Sequence, residues 1–207
     1  MFLGRIIQPR VVYPLNSFYK NKEERGRSKP AKVRGVRFFR SSRSATFLGK
    51  RYSYVELPNY RGRLRTGKSI TLMAVVRHYG RAGPILNYNP RRKGVGLWMV
   101  SPSKLLLRFS RRHPSVFAYM RPRQKHLVAA VYDYKYGLVK LFIDRRFVKV
   151  KYIGRTRLAT NYPARIGALQ GGRRYFRGEI SCIQIYGVPL KARQILRNGN
   201  ACGRRRM

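Results

Sequence analysis

From Ala45 onward the apolar residues come in short runs cut by Gly, Pro and Arg, several of them strictly alternating, and this period of two constrains the fold more than any other feature. In SITLMAVVRHY, Ile70, Leu72, Ala74 and Val76 fall on one face, because successive side chains of a strand point to opposite sides. ATFLG, YSYVEL, GPILNYN, VGLWMV, KLLLRFS, VFAYM, KHLVAAVYDY, LVKLFID, RFVKVKYIG, ARIGA and YFRGEISCIQIYG also read as strands. Within them Leu105, Leu107 and Phe109 share a side, as do Val148, Val150 and Tyr152, with Lys149 and Lys151 opposite. Some sheet surface is therefore basic. The series predicts an all-β fold, a two-sheet antiparallel sandwich. One helical turn closes it: Pro189 opens PLKARQILRN, Leu190, Ile195 and Leu196 offer an apolar face, and Gly199 stops it.

Charge is the second constraint. The 207 residues hold 48 Lys and Arg against 6 Asp and Glu, a formal net charge of +42. A hydrophobic content of 43% nevertheless supplies a packed core, unlike a disordered basic tail. At roughly 150 residues per domain the chain divides into a basic, partly disordered arm over 1–40, one domain over 41–202, and a basic tail over 203–207. The arm segment KNKEERGRSKPAKVRGVR has neither helical nor strand periodicity, although Phe2, Leu3, Ile6, Ile7, Val11, Val12 and Tyr13 before it are apolar enough to pack.

The same composition excludes much chemistry. Six carboxylates (Glu23, Glu24, Glu56, Asp133, Asp144 and Glu179), three His and two Cys leave little for a paired-carboxylate hydrolase, a calcium cage or a cysteine-rich zinc site. His78, His113 and His126 have no nearby Ser/His/Asp set, so no catalytic residue, metal or cofactor is expected. Glu56, Asp133, Asp144 and Glu179 are read as structural partners of the surrounding arginines. No apolar run approaches the roughly 18–20 residues that cross a bilayer. The start, MFLGRIIQPR, lacks a secretory leader, which implies either a protein that is not secreted or a processed form.

Taken in order, ATFLGKRYSYVELPN, SITLMAVVR, GPILNYN with GVGLWMV, HLVAAVYDYKYGLVKLFIDRRFV, LATNYPARIGA and GEISCIQIYGVPLKARQI resemble the laminin G-like, concanavalin A-like jelly-roll family over residues 45–202. The close of the chain, GEISCIQIY into PLKARQI and then a Cys, is the most specific part. The resemblance implies a two-sheet jelly roll of the kind used in extracellular adhesion and glycan binding. It also implies a disulfide between Cys182 and Cys202; the alternative is a buried Cys182 and an exposed Cys202 thiol. An oxidised pair argues for an extracellular, oxidising setting. Two positions depart from the family pattern: His126 stands where many relatives carry Trp, and the hairpin at Asp144 continues with Arg145 and Arg146 instead of Gly. No complete calcium site maps onto the chain.

Basic clusters punctuate the predicted loops: Arg61, Arg63 and Arg65; Arg91, Arg92 and Lys93; Arg111 and Arg112; Arg121, Arg123 and Lys125; Arg145 and Arg146; Arg173 and Arg174; and Arg204, Arg205 and Arg206. Any one is compatible with a solvated loop tip. Together they repel one another, a cost that a polyanion would relieve with a gain from counterion release. The planar fork of arginine suits sulfate, phosphate and carboxylate, and neighbouring tyrosines offer stacking faces. The expected partner is an acidic macromolecule, preferably a sulfated or carboxylated glycan or an acidic glycoprotein of an extracellular matrix or an egg or cell coat. Arg91, Arg92, Lys93, Arg121, Arg123, Arg173 and Arg174 are the leading candidates. Two alternatives stay open: a matrix or biomineral protein condensing an acidic scaffold, and a nucleic-acid packaging or ribosome-associated protein. Non-specific nucleic-acid binding in vitro is expected in any case.

Overall fold

The alternating runs become strands where the pattern marks them, in a computed structural model that describes residues 7–41, 43–109, 115–199 and 202. Among these residues the strands are β1 (Val11–Tyr13), β2 (Lys32–Arg34), β3 (Val36–Phe39), β4 (Ser44–Leu48) and β5 (Tyr54–Leu57). Next come β6 (Ile70–His78), β7 (Gly83–Tyr88), β8 (Gly96–Met99), β9 (Lys104–Arg108) and β10 (Val116–Tyr119). The last are β11 (Lys125–Asp133), β12 (Leu138–Ile143), β13 (Arg146–Tyr152), β14 (Ala164–Ile166) and β15 (Arg177–Tyr186), followed by helix α1 (Ala192–Asn198). One sheet runs β13-β12-β11-β6-β15-β4-β3 and the other β10-β9-β8-β7-β14-β5-β2. Every pairing is antiparallel, so the chain is an all-β sandwich of two sheets with one short C-terminal helix.

The core lies between the sheets. Leu72, Ala74 and Val76 of β6 and Ile180, Ile183 and Ile185 of β15 share it with Val55, Leu97, Leu107 and Ile166 of the facing sheet, all essentially inaccessible. Each large aliphatic side chain buried there contributes about 1.5–3 kcal/mol relative to exposure. A smaller cluster sits on the outer side of the first sheet, where Met73, Val131, Phe142 and Tyr186 are covered by Leu190 and by Ile195 of α1. The helix starts at Ala192, and Gly199 ends it with its N–H on the Ile195 carbonyl. Leu196, expected on the buried face, is 47% exposed, because α1 is short and rests on the sheet through Ile195.

Where a partly disordered arm was expected over 1–40, residues 7–40 are built into the sandwich. They carry three strands: β1 beside β15, β2 beside β5 and β3 beside β4. Val11, Val12 and Tyr13 are fully buried, and β1 occupies the flank of β15 that β4 leaves open beyond Ile180. The intervening polar loop is tied down by one acid. The Glu23 carboxylate accepts from the backbone N–H groups of Val12, Arg25 and Arg27 at 3.0, 3.1 and 2.7 Å. A single buried carboxylate thus does what hydrophobic periodicity does elsewhere.

The hairpin between β12 and β13 turns at the position where Arg145 stands in place of the Gly of the family pattern. Asp144 and Arg145 both take positive φ, 50° and 69°, the hand that matches strand twist. Arginine lacks the freedom of glycine there. Arg145→Gly is expected to stabilise the protein by about 0.5–1 kcal/mol, the relief of strain exceeding the added freedom of the unfolded chain; urea unfolding midpoints would show it. Beyond this turn β13 is an edge strand. Val148, Val150 and Tyr152 face outward and are exposed, while Lys149 and Lys151 lie opposite Leu141 and Val139.

Candidate polyanion groove

On the outer face of the seven-stranded sheet, alternation lines up the residues that point away from the core. Arg34 lies opposite Tyr54, and Lys32 and Arg165 both lie opposite Glu56, while Val33, Val55 and Ile166 point inward. These side chains floor a groove of about 1080 Å³. Arg165 is fixed within it: its Nε lies 2.7 Å from Glu56 Oε2, and its guanidinium sits 3.9 Å from the Tyr54 ring centre. Five more cations line the groove, namely Lys32, Arg34, Arg51, Arg91 and Arg92, and none is ion-paired among the described residues.

The walls come from loops that the fold holds in place. Arg91 and Arg92 belong to the β7–β8 loop, which is pinned by the fully buried Asn87. Asn87 Nδ2 donates to the carbonyls of Tyr88 and Arg92 at 2.6 and 2.9 Å, and its Oδ1 accepts from Gly94 N–H and Trp98 Nε1 at 3.2 and 3.1 Å. Gln170 and Gly171, at the tip of the β14–β15 loop, form another wall, with Gln170 N–H on the Pro90 carbonyl. Tyr162 and Tyr52 stand at the rim, 44% and 45% exposed. Room for the Tyr52 ring depends on Gly35, at φ 57°, where a Cβ would come within 2.6 Å of the ring. A groove with fixed loops, free cations and two exposed aromatic faces can hold a flat or ring-shaped ligand bearing anionic groups.

Of the candidates from the sequence, Arg91 and Arg92 line this groove, and Lys93 lines an adjoining depression with Arg92, Arg157 and Tyr162. Arg173 and Arg174 sit in the returning limb of the β14–β15 loop and do not line it. Arg121, Arg123 and Lys125 are at the other end of the sandwich, where Arg123 N–H meets the His78 carbonyl. Arg145 and Arg146 share that end, and Arg61, Arg63 and Arg65 occupy the β5–β6 connection. Arg111, Arg112, Arg204, Arg205 and Arg206 lie outside the described residues. Lys32, Arg34, Arg51, Tyr52, Tyr54, Tyr162 and Arg165 were not singled out from sequence. Alternation in YSYVEL and ARIGA does give the outward face of each strand, but not that these strands are neighbours.

The acids hold the fold together. Glu179 accepts from Tyr79 Oη at 2.6 Å and Ser44 Oγ at 2.8 Å, with Arg77 and Lys125 at 3.7 and 3.9 Å. Burial pushes its carboxyl up, but the two hydrogen bonds and the two cations outweigh this and hold it below the ordinary carboxylate value. A carboxyl depressed in the folded state stabilises above its unfolded pKa, and that contribution is lost as pH falls through the folded value. Glu179→Gln should therefore be less stable than wild type at pH 7, with the gap closing below about pH 4, measured as urea midpoints. Asp144 departs from the arginine pairing expected: its Oδ2 meets His126 Nδ1 at 2.7 Å and its Oδ1 accepts from Leu127 N–H. Asp133 likewise caps a turn, accepting from Lys135 N–H. Cys182 and Cys202 form the disulfide, Cα to Cα 5.4 Å, tying the segment after α1 to β15.

No helix among the described residues is long and apolar enough to cross a membrane. The sequence matches no protein family and no curated protein. Solved structures do match in shape. The binding domain of botulinum neurotoxin serotype G superposes with a TM-score of 0.72 at 11% identity, over 93% of this chain and 50% of that one. A type C botulinum neurotoxin structure gives 0.68 at 10% identity, over 93% and 51%. Trypanosoma rangeli sialidase gives 0.68 at 14% identity, over 91% and 32%. The chain thus spans about half of each toxin structure and about a third of the sialidase. At these identities the likeness shows the fold, and in fold the chain is a two-sheet β-sandwich of the kind these proteins contain.

Proposed function

We propose that the chain is a non-enzymatic, laminin G-like domain that binds sulfated or carboxylated glycans, or acidic glycoproteins bearing them, in an extracellular matrix or an egg or cell coat. The observation that carries this reading is the groove in which five unpaired cations and the exposed rings of Tyr52 and Tyr162 line one concavity. Cations alone would serve any polyanion; rings beside cations also suit sugar faces. The similar structures add support, since one is described through interaction of its toxin with two ganglioside molecules and another holds sialic acid, a carboxylated sugar. The closed disulfide favours an oxidising compartment, hence a secreted protein over a nucleic-acid packaging one. The acids that would be needed for glycan hydrolysis are instead engaged with Arg165, His126, Tyr79 and backbone groups.

A second reading, a scaffold protein that condenses acidic polymers, is favoured by cations far from the groove, such as Arg61, Arg121 and Arg123. A glycan array probed at roughly 0.15 M salt with excess DNA as competitor separates the readings. Retention on particular sulfated or carboxylated glycans is expected. Equal binding to every polyanion would sink the selective reading and leave the scaffold.

A further inference from the structure

A second concavity, of about 630 Å³, opens on the outer face of the eight-stranded sheet, and it too is basic. Arg37 of β3, Lys50 of the β4–β5 turn, Arg81 of the β6–β7 loop and Arg177 of β15 converge on it, and no carboxylate lines it. Their convergence is built by the backbone. Gly49, at φ 67°, has no Cβ; one placed there would come within 2.9 Å of Arg177 Cβ and 3.0 Å of Arg81 Cδ. Both arginine stems therefore press against the turn, and Arg81 Nη1 donates to the Gly49 carbonyl at 2.9 Å. Tyr79 walls the cleft with its hydroxyl held by Glu179, an acid already matched by Arg77 and Lys125. The cations in the cleft are left to face solvent.

The β4–β5 turn separates this cleft from the groove on the opposite sheet. Lys50 lines the cleft, and the very next residues, Arg51 and Tyr52, line the groove. Adjacent Cα atoms are only about 3.8 Å apart, so cations from the two sites meet at a single turn. We propose that the cleft is a second anion subsite and that one acidic glycan chain runs from the groove over the Lys50–Arg51 turn into it. This rests on the glycan reading of the groove and specifies the length of ligand the protein takes. The track wraps one edge of the sandwich, where β2 and β3 lie at the sheet margins.

The test uses size-defined heparin oligosaccharides with the full chain and two variants, Arg37→Ala/Arg177→Ala for the cleft and Arg91→Ala/Arg92→Ala for the groove. Wild type is expected to gain affinity in a step once the oligosaccharide outgrows the groove. In the cleft variant the step should vanish, and the slope of log affinity against log salt for long oligosaccharides should fall by about 2, one per cation removed. Short oligosaccharides should bind the cleft variant as they bind wild type, which also shows that it folds. At physiological salt the Debye length is about 8 Å, so a general loss of field does not imitate this pattern. A step retained in the cleft variant, or short oligosaccharides weakened as much as long ones, overturns the proposal. Unchanged binding of short oligosaccharides by the groove variant is a different failure: it removes the glycan reading of the groove itself.

Discussion

Alanine at both Arg91 and Arg92 will lower affinity for a sulfated glycan by roughly 10- to 100-fold at physiological salt, with the thermal midpoint left in place. Both side chains are exposed on a loop whose backbone is held by Asn87, so their removal takes away contacts without loosening the scaffold. A charge-assisted contact at a solvated site is worth about 1 kcal/mol after screening, and two of them amount to about 30-fold. Calorimetric titration over a range of salt should also show the log–log slope becoming shallower by about 2. Tyr52→Ala with Tyr162→Ala supplies the contrast. If sugar faces stack on these rings, affinity falls while the salt slope stays as it was, because no cation is lost. Wild-type affinity in the tyrosine variant would reduce the groove to a charge patch.

Opening the disulfide has the largest expected effect on stability. Cys182→Ser with Cys202→Ser frees a loop whose ends are separated by 20 positions, and the chain-entropy model assigns such a cross-link about 3 kcal/mol. For a protein of this size that is a fall of roughly 6–12 °C in thermal midpoint. Local structure adds to the case. Cys182 sits at positive φ, 54°, where β15 bulges away from β6 between Ser181 and Gln184. Gln184 Nε2 lies 3.1 Å from both the Cys182 sulfur and the Asn198 carbonyl. Bulge, helix end and disulfide therefore form one unit, and hydrogen exchange in α1 should accelerate in the double variant. A midpoint unchanged within a degree or so would mean that packing by Leu190 and Ile195 alone holds the C-terminal segment.

Much of the sandwich was legible because core-facing residues recur at every second position of a strand, a period cleanest in β9 and β10 and still readable in β6, where Met73 on the outer face is buried as well. The runs at Ile70–Val76 and Leu105–Phe109 carry that signature, and the sheets contain them as read. The first three strands are too short, three or four residues each, for such a period to stand out. Lys32, Arg34 and Arg37 of β2 and β3 are exposed at the sheet margins, and β1 has three consecutive buried residues whose partner strand, β15, lies far along the chain. The groove was half visible for a related reason. Consecutive cations such as Arg91 and Arg92 are conspicuous in a sequence, whereas Lys32, Arg34 and Arg165 are interleaved with apolar residues and meet only through the pairing of β2, β5 and β14. The disulfide followed from the resemblance of the C-terminal segment to laminin G-like domains, not from spacing.

The place of β1 sets an order for biosynthesis. Val11, Val12 and Tyr13 pair with Ile185, Gln184 and Ile183, so the first of the described strands completes its hydrogen bonds with the last. Contacts across such a separation are slow to close. As the chain leaves the ribosome, the apolar β1 segment has no partner until β15 has emerged, and the flank of β15 beyond Ile180 has no neighbour until β1 returns to it. Synthesis thus leaves an unpaired strand edge open until β15 has emerged, and through that interval chaperone binding and misassembly compete with folding.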